Sequence, residues 1–193
     1  MDITTPAATD PNQPLQIVGS EEWCALPELG LPALKARVDS GAKTSALHAF
    51  NIKTSKRQGS TWVTFDVHPL QDDMKTVVTC AAKVKGRRTV KSSSGTTERR
   101  YVIDTRIFLG DMLWDIELTL TNRDSMGYRM LLGREAMEGR LLINPAQSLA
   151  LGAEGFVNPR SLYHEDIPER TGLRIGLLAP LRQGLLFSLH TSH

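Results

Sequence analysis

Period-two alternation of apolar and polar residues restricts this chain more than any other feature. "ALKARVD" (33–39) places Leu34, Ala36 and Val38 on one side, the sign of a half-buried strand. "LQIVGSEEW" opens with a short apolar strand ended by Gly19-Ser20, and "TWVTFDVHPL" carries Trp62, Phe65 and Val67. "KTVVTCAAKV", "RYVIDTRIFLG" and "LWDIELTLTNR" repeat the texture with β-branched and aromatic residues, which suit a pleated surface. Turn residues punctuate them at Gly59-Ser60, Asp72-Asp73, Gly86, Ser94-Gly95 and Gly110-Asp111. About seven strands at this spacing predict an all-β barrel or sandwich. "GREAMEG" (133–139) predicts one short helix, and "LLINPAQSLAL" (141–151) reads as strand, turn, strand.

The alternation sets the domain limits. Residues 1–15 are rich in Pro, Thr, Asp and Asn and read as a flexible lead-in. Residues 16–151 form the domain. Residues 152–193 are a C-terminal extension with no period, ending in an apolar stretch broken by Gly176, Pro180 and Gly184; packing on the domain, a partner interface and loose order all stay open for it.

The formal net charge is +2 over 193 residues, but the charge is unevenly placed. Residues 1–30 carry acids and no Lys or Arg; residues 83–100 carry Lys83, Lys85, Arg87, Arg88, Lys91, Arg99 and Arg100 against Glu98 alone. Such density suits an anionic partner or a solvated hairpin rim. Nucleic acid is not expected, because basic and aromatic residues are not interleaved as a base-stacking platform requires. The opening residues have no basic region followed by an apolar stretch, and no apolar run approaches the roughly 18 residues of a membrane span. A cytoplasmic protein without a membrane partner is the expectation.

Cys24 and Cys80 offer no disulfide framework and read as buried reduced thiols. No zinc-binding helix motif is present, and "SGAKTS" lacks the glycines of a phosphate-binding loop. His48, His68 and Cys80 are the residues that a metal would have to recruit. The expectation is no metal and no cofactor.

One short run carries chemistry. "RVDSGAKTSALHAF" (37–50) ends a strand in Asp39-Ser40-Gly41-Ala42, one form of the aspartic peptidase loop. Asp39 stands at a loop tip, Ser40 offers a hydroxyl, and Gly41 removes a Cβ where backbones come close. "RMLLGREAM" (129–137) follows about ninety residues later, with apolar residues ahead of Gly133; in those enzymes such a strand passes beneath the Asp loop.

Together with "WVTFDVHP", "VKSSSGTTERRYVI", "WDIELTLTNRDSMGYRMLLGREAM" and "INPAQS", this run resembles the family named for ATP-dependent zinc proteases. Its members are retropepsin-like, RimB-type glutamyl peptidases that often accompany RimK-type ATP-grasp ligases. The resemblance covers about residues 16–151, with Ser40 where many relatives have Thr. It implies a retropepsin-like closed β-barrel and an aspartic-type peptidase cleaving glutamate-rich or oligoglutamate chains, such as tails added by the ligase. ATP dependence would then belong to the ligase.

Asp39, Ser40 and Gly41 are the expected catalytic group. With one Asp-Ser-Gly per chain, the expected dyad comes from a homodimer whose two carboxylates would share a proton; in a monomer Asp39 would need another partner. Lys43, His48, Arg87, Arg88, Lys91, Arg99 and Arg100 are the expected substrate-binding residues, with residues 86–101 as a flap; His48 could instead brace the loop. Leu132, Gly133 and Arg134 would support the catalytic loop. A non-catalytic binder of polyanionic tails is the rival reading.

Overall fold

A computed structural model of the chain describes residues 14–91, 95–122, 127–152 and 159–164. The expected tip residue Ser94 and the apolar stretch after 172 lie outside the described residues. The strands are β1 (Gln16–Val18), β2 (Glu21–Leu26), β3 (Leu31–Val38), β4 (Ser45–His48), β5 (Phe50–Arg57), β6 (Ser60–Val67), β7 (Val78–Lys91), β8 (Thr97–Leu109), β9 (Met112–Thr121), β10 (Met130–Leu132) and β11 (Leu141–Ile143). Two short helices, α1 (Arg134–Met137) and α2 (Ser161–His164), and a 3-10 turn (Pro27–Leu29) complete them. The chain is mostly β, and α1 falls where the sequence places its helix.

Nine strands form one sheet in the order β2-β3-β10-β4-β9-β8-β7-β6-β5, and β2 also pairs with β8 through Cys24–Leu109 and Ala25–Phe108. β1 and β11 make a separate parallel pair. Alternation decides what faces inward. In β6 it is Val63, Phe65 and Val67 that are buried, with Trp62 on the opposite, half-buried face. They join Leu34, Leu47, Ile103, Leu118, Met130 and Leu132 in one continuous core. Full burial of each such side chain contributes about 1.5–3 kcal/mol.

The structure has more strands than the sequence announces. β2, β4 and β5 lie in stretches where the pattern is blurred by Glu21-Glu22 or by the absence of Gly and Pro. The second strand expected in 141–151 is absent. There the Ser20 amide donates to the Gln147 carbonyl at 2.7 Å and the Leu149 amide to the Glu21 carbonyl at 2.9 Å, so the backbone is held as a turn against the start of β2. Beyond residue 151, α2 packs on β3: Tyr163 is bonded to the backbone of Ala33, and Arg160 sits 3.2 Å from Asp73.

Candidate active site

Three strands converge on the Asp39 loop. β10 runs between β3 and β4, parallel to the first and antiparallel to the second. Leu132 lies opposite Val38, so the chain leaving β3 is caught at once: the Asp39 amide donates to the Leu132 carbonyl at 3.0 Å. Gly133 passes so close that a Cβ there would stand 2.6 Å from the Thr44 carbonyl carbon. Its amide donates to Ser45 Oγ at 3.1 Å. Glycine is required here by close approach, not by its dihedral angles.

α1 closes the loop from below. The Arg134 and Glu135 amides donate to the Ala42 and Lys43 carbonyls at 2.9 and 3.0 Å. The Arg134 guanidinium donates to the Ser40 and Gly41 carbonyls at 2.8 and 3.2 Å. Within the loop, Asp39 Oδ1 accepts the Gly41 and Ala42 amides at 2.8 and 3.2 Å. One carboxylate oxygen is thereby fixed in orientation, and a Cβ on Gly41 would crowd it at 3.1 Å.

Asp39 opens onto a cleft of about 760 Å³. Gly41, Lys43, Thr44, Leu131 and Thr119 line it on the loop side, and Arg88, Thr89, Val90, Lys91 and Arg100 on the side of the β7–β8 ribbon. Among the described lining residues Asp39 is the one carboxylate.

The expected substrate-binding residues separate into groups. Lys43, Arg88, Lys91 and Arg100 line the cleft; Arg87, Arg99 and His48 do not. The β7–β8 register places Arg88 opposite Arg100, with Arg87 opposite Tyr101 and Thr89 opposite Arg99 on the neighbouring rungs. The Arg87 guanidinium lies 4.3 Å over the Tyr101 ring. His48 is 3% exposed in β4, and its ring lies 6.1 Å from Phe50, which stacks on His68 at 4.5 Å. That placement suits bracing of the strand.

Acids hold several of the cleft cations. Arg100, buried, donates from Nε to Glu98 at 2.7 Å. Lys43 lies 3.6 Å from Glu135. Arg88 donates to Glu117 at 2.7 Å and to Thr44 Oγ1 at 2.6 Å. Burial pushes the Glu117 carboxyl up, but its bonds from Lys85 and Arg88 outweigh this and its pKa is lowered. Thr44, Glu117 and Glu135 were not expected at the site. Thr44 had a signal, since it lies five residues after Asp39 in the distinctive run.

The residues that zinc would need do not fit a metal centre. The Cys80 thiol donates to the Leu29 carbonyl at 3.2 Å, and burial pushes it up to about 12, whereas a metal requires the thiolate. Both histidine rings stack on Phe50, at centroid distances of 6.1 Å for His48 and 4.5 Å for His68. Among the described residues no three His, Cys, Asp or Glu side chains are grouped to hold one ion. No described helix is long and apolar enough to cross a membrane.

The β-rich fold thus presents Asp39-Ser40-Gly41 on a loop supported by an apolar strand and Gly133. Residues 17–152 match the RimB-like family, described as "Retropepsin-like aspartic endopeptidase RimB". The chain belongs to that family, and the match does not support the zinc-protease or ATP-dependent wording. It is 56% identical over 163 residues to a "Probable alpha-L-glutamate ligase" of Shewanella pealeana, covering 84% of this chain and 36% of that protein. A protein of the same name from Parasynechococcus marenigrum is 57% identical over 163 residues, with 84% and 35% covered. The chain thus spans about a third of the length of these relatives. A crystal structure of a Legionella pneumophila protein of unknown function is similar at a TM-score of 0.60 and 30% identity, covering 71% of this chain and 98% of that one.

Proposed function

We propose that this chain is an aspartic-type, retropepsin-like peptidase that hydrolyses peptide bonds in glutamate-rich or oligoglutamate chains. The observation that carries the reading is Asp39, oriented by its own loop amides and held from below by β10 and α1, as the one carboxylate among the described residues lining a cleft that also holds Lys43, Arg88, Lys91 and Arg100. A retropepsin-like closed barrel is part of the proposal, supported by the circuit β2-β3-β10-β4-β9-β8 that returns to β2 through Cys24–Leu109.

Two copies each contribute Asp39. The paired carboxylates share one proton, because neighbouring like charges do not both ionise at low cost. Water between them loses a proton to the ionised member and attacks the scissile carbonyl; the protonated member then serves as the acid. Lys43, Lys91 and Arg100 bring positive charge to the cleft and favour an acidic chain. The relatives named for glutamate ligation, matched over about a third of their length, support a functional link between this domain and a RimK-type ligase.

A polyanion-binding module without catalysis is the second reading, favoured by the presence of one carboxylate among the described lining residues. Asp39→Asn separates the two. A peptidase loses turnover of an oligoglutamate peptide and keeps its binding, while a binder is unaffected.

A further inference from the structure

We infer that Arg88 is a positioning residue: it fastens the β7–β8 ribbon to the Asp39 loop and does not read substrate charge. The kinetic side of this inference rests on the peptidase reading above; its structural side does not.

The ribbon needs such a fastening. β7 pairs with β6 from Val78 to Lys83 and β8 pairs with β9 from Tyr101 to Leu109. Beyond those points, residues 88–91 and 97–100 pair with each other alone among the described residues. A register shift between Val84 and Gly86 follows the point where β7 parts from β6. Two-stranded ribbons are marginally stable by themselves, and bulges bend and twist a strand. The angle of this ribbon over Asp39 therefore depends on side-chain ties.

Arg88 supplies a tie to the loop. Its Nη1 donates to Thr44 Oγ1 at 2.6 Å and its Nη2 to Glu117 Oε2 at 2.7 Å. Thr44 Oγ1 in turn donates to Glu135 Oε2 at 2.6 Å, so the hydroxyl hydrogen is committed and its lone pair is aimed at Arg88. The backbone of Thr44 is the surface against which Gly133 packs. Ribbon, loop and supporting helix are thus joined through one hydroxyl. On the other ribbon strand, Thr121 Oγ1 donates to Glu98 at 2.8 Å and steadies that side against β9.

The same contacts leave Arg88 poorly suited to substrate carboxylates. Both terminal nitrogens are engaged, and Glu117 and Glu135 stand 2.7 and 3.9 Å away. A third carboxylate would have to displace one acid and meet repulsion from the other. Arginine is suited to span two fixed acceptors with its planar fork; lysine, a point charge, is not.

The test compares Arg88→Lys, Arg88→Ala and the near-isosteric Thr44→Val with wild type. Amide hydrogen exchange at residues 86–91 and 97–101 should quicken about tenfold or more in all three, with β3 and β10 unchanged. In parallel, kcat/KM should fall about 10- to 100-fold, the scale of a misplaced reacting geometry. It should fall by the same factor for an all-Glu peptide and for an all-Gln peptide of equal length. Unchanged ribbon exchange overturns the proposal. So does a loss confined to the all-Glu peptide that Arg88→Lys restores, since that pattern belongs to a charge reader. If wild type cuts neither peptide, the peptidase reading falls, and the exchange measurement still decides the role of Arg88.

Discussion

The amide of Asp39 donates to the carbonyl of Leu132 at 3.0 Å, with Gly133 seated next in the chain against the backbone of Thr44. This contact joins the start of the Asp39 loop to a strand about ninety residues away and makes the loop's geometry a property of the core.

Gly133→Ala should therefore destabilise the fold. The added Cβ would lie 2.6–2.9 Å from backbone atoms of Thr44 and Ser45, which cannot rotate away as a side chain can. Overpacking of this kind costs about 1–3 kcal/mol. Gly86→Ala is the control, since nothing lies within 4 Å of its added Cβ. Urea unfolding should show a lower midpoint for the first and little change for the second, at constant m.

Asp73 should give the domain an acid-sensitive component. The Lys75 and Thr76 amides hold its carboxyl down to about 2, from an ordinary 3.8. A depressed folded pKa stabilises the protein above the unfolded value and ceases to do so as pH falls through the folded one. The stability advantage of wild type over Asp73→Ala should be constant above pH 3.8 and shrink towards pH 2. An advantage that persists undiminished at the low end would show that the amides do not act through the carboxylate charge.

Both thiols should be silent in the folded protein. Burial pushes Cys24 and Cys80 up to about 12, so a thiol reagent near neutral pH should label them after unfolding in urea and not before. Elemental analysis should find no stoichiometric zinc, and chelators should leave activity intact; one tightly held zinc per chain would reverse the mechanism proposed above.

Substrate charge should be read by Lys43, Lys91 and Arg100, the cleft-lining cations other than Arg88. Exposed ion pairs contribute about 0.2–1 kcal/mol each and are screened by salt. Cleavage of glutamate-rich peptides should fall steeply with added salt. Lys91→Ala should raise KM for an all-Glu peptide, whereas Arg99→Ala, which is not among the cleft-lining residues, should leave it nearly unchanged.

The sequence made the Asp39 loop and its support legible because each is a continuous run with unusual local chemistry. The apolar run ahead of Gly133 could be placed beneath the Asp39 loop from the aspartic peptidase pattern, while the close approach of Gly133 to Thr44 emerges from the fold. The sorting of the cationic segment could not be read in this way. Which of Arg87 and Arg88 faces the cleft depends on the register shift between Val84 and Gly86, and a single displaced residue reverses the faces of a strand. His48 was drawn to the site by proximity in sequence, yet β4 turns it into the interior. Glu117 and Glu135 had no local signal at all. Their roles exist because β9 and α1 arrive beside Thr44 and Arg88 from distant parts of the chain.

The central claim is that catalysis requires Asp39 from two copies. Wild type and Asp39→Asn should be mixed at constant total protein, allowed to exchange subunits, and assayed on an oligoglutamate peptide. If both carboxylates are needed, activity falls as the square of the wild-type fraction. A linear fall, or cleavage by Asp39→Asn alone, would contradict the paired-carboxylate mechanism.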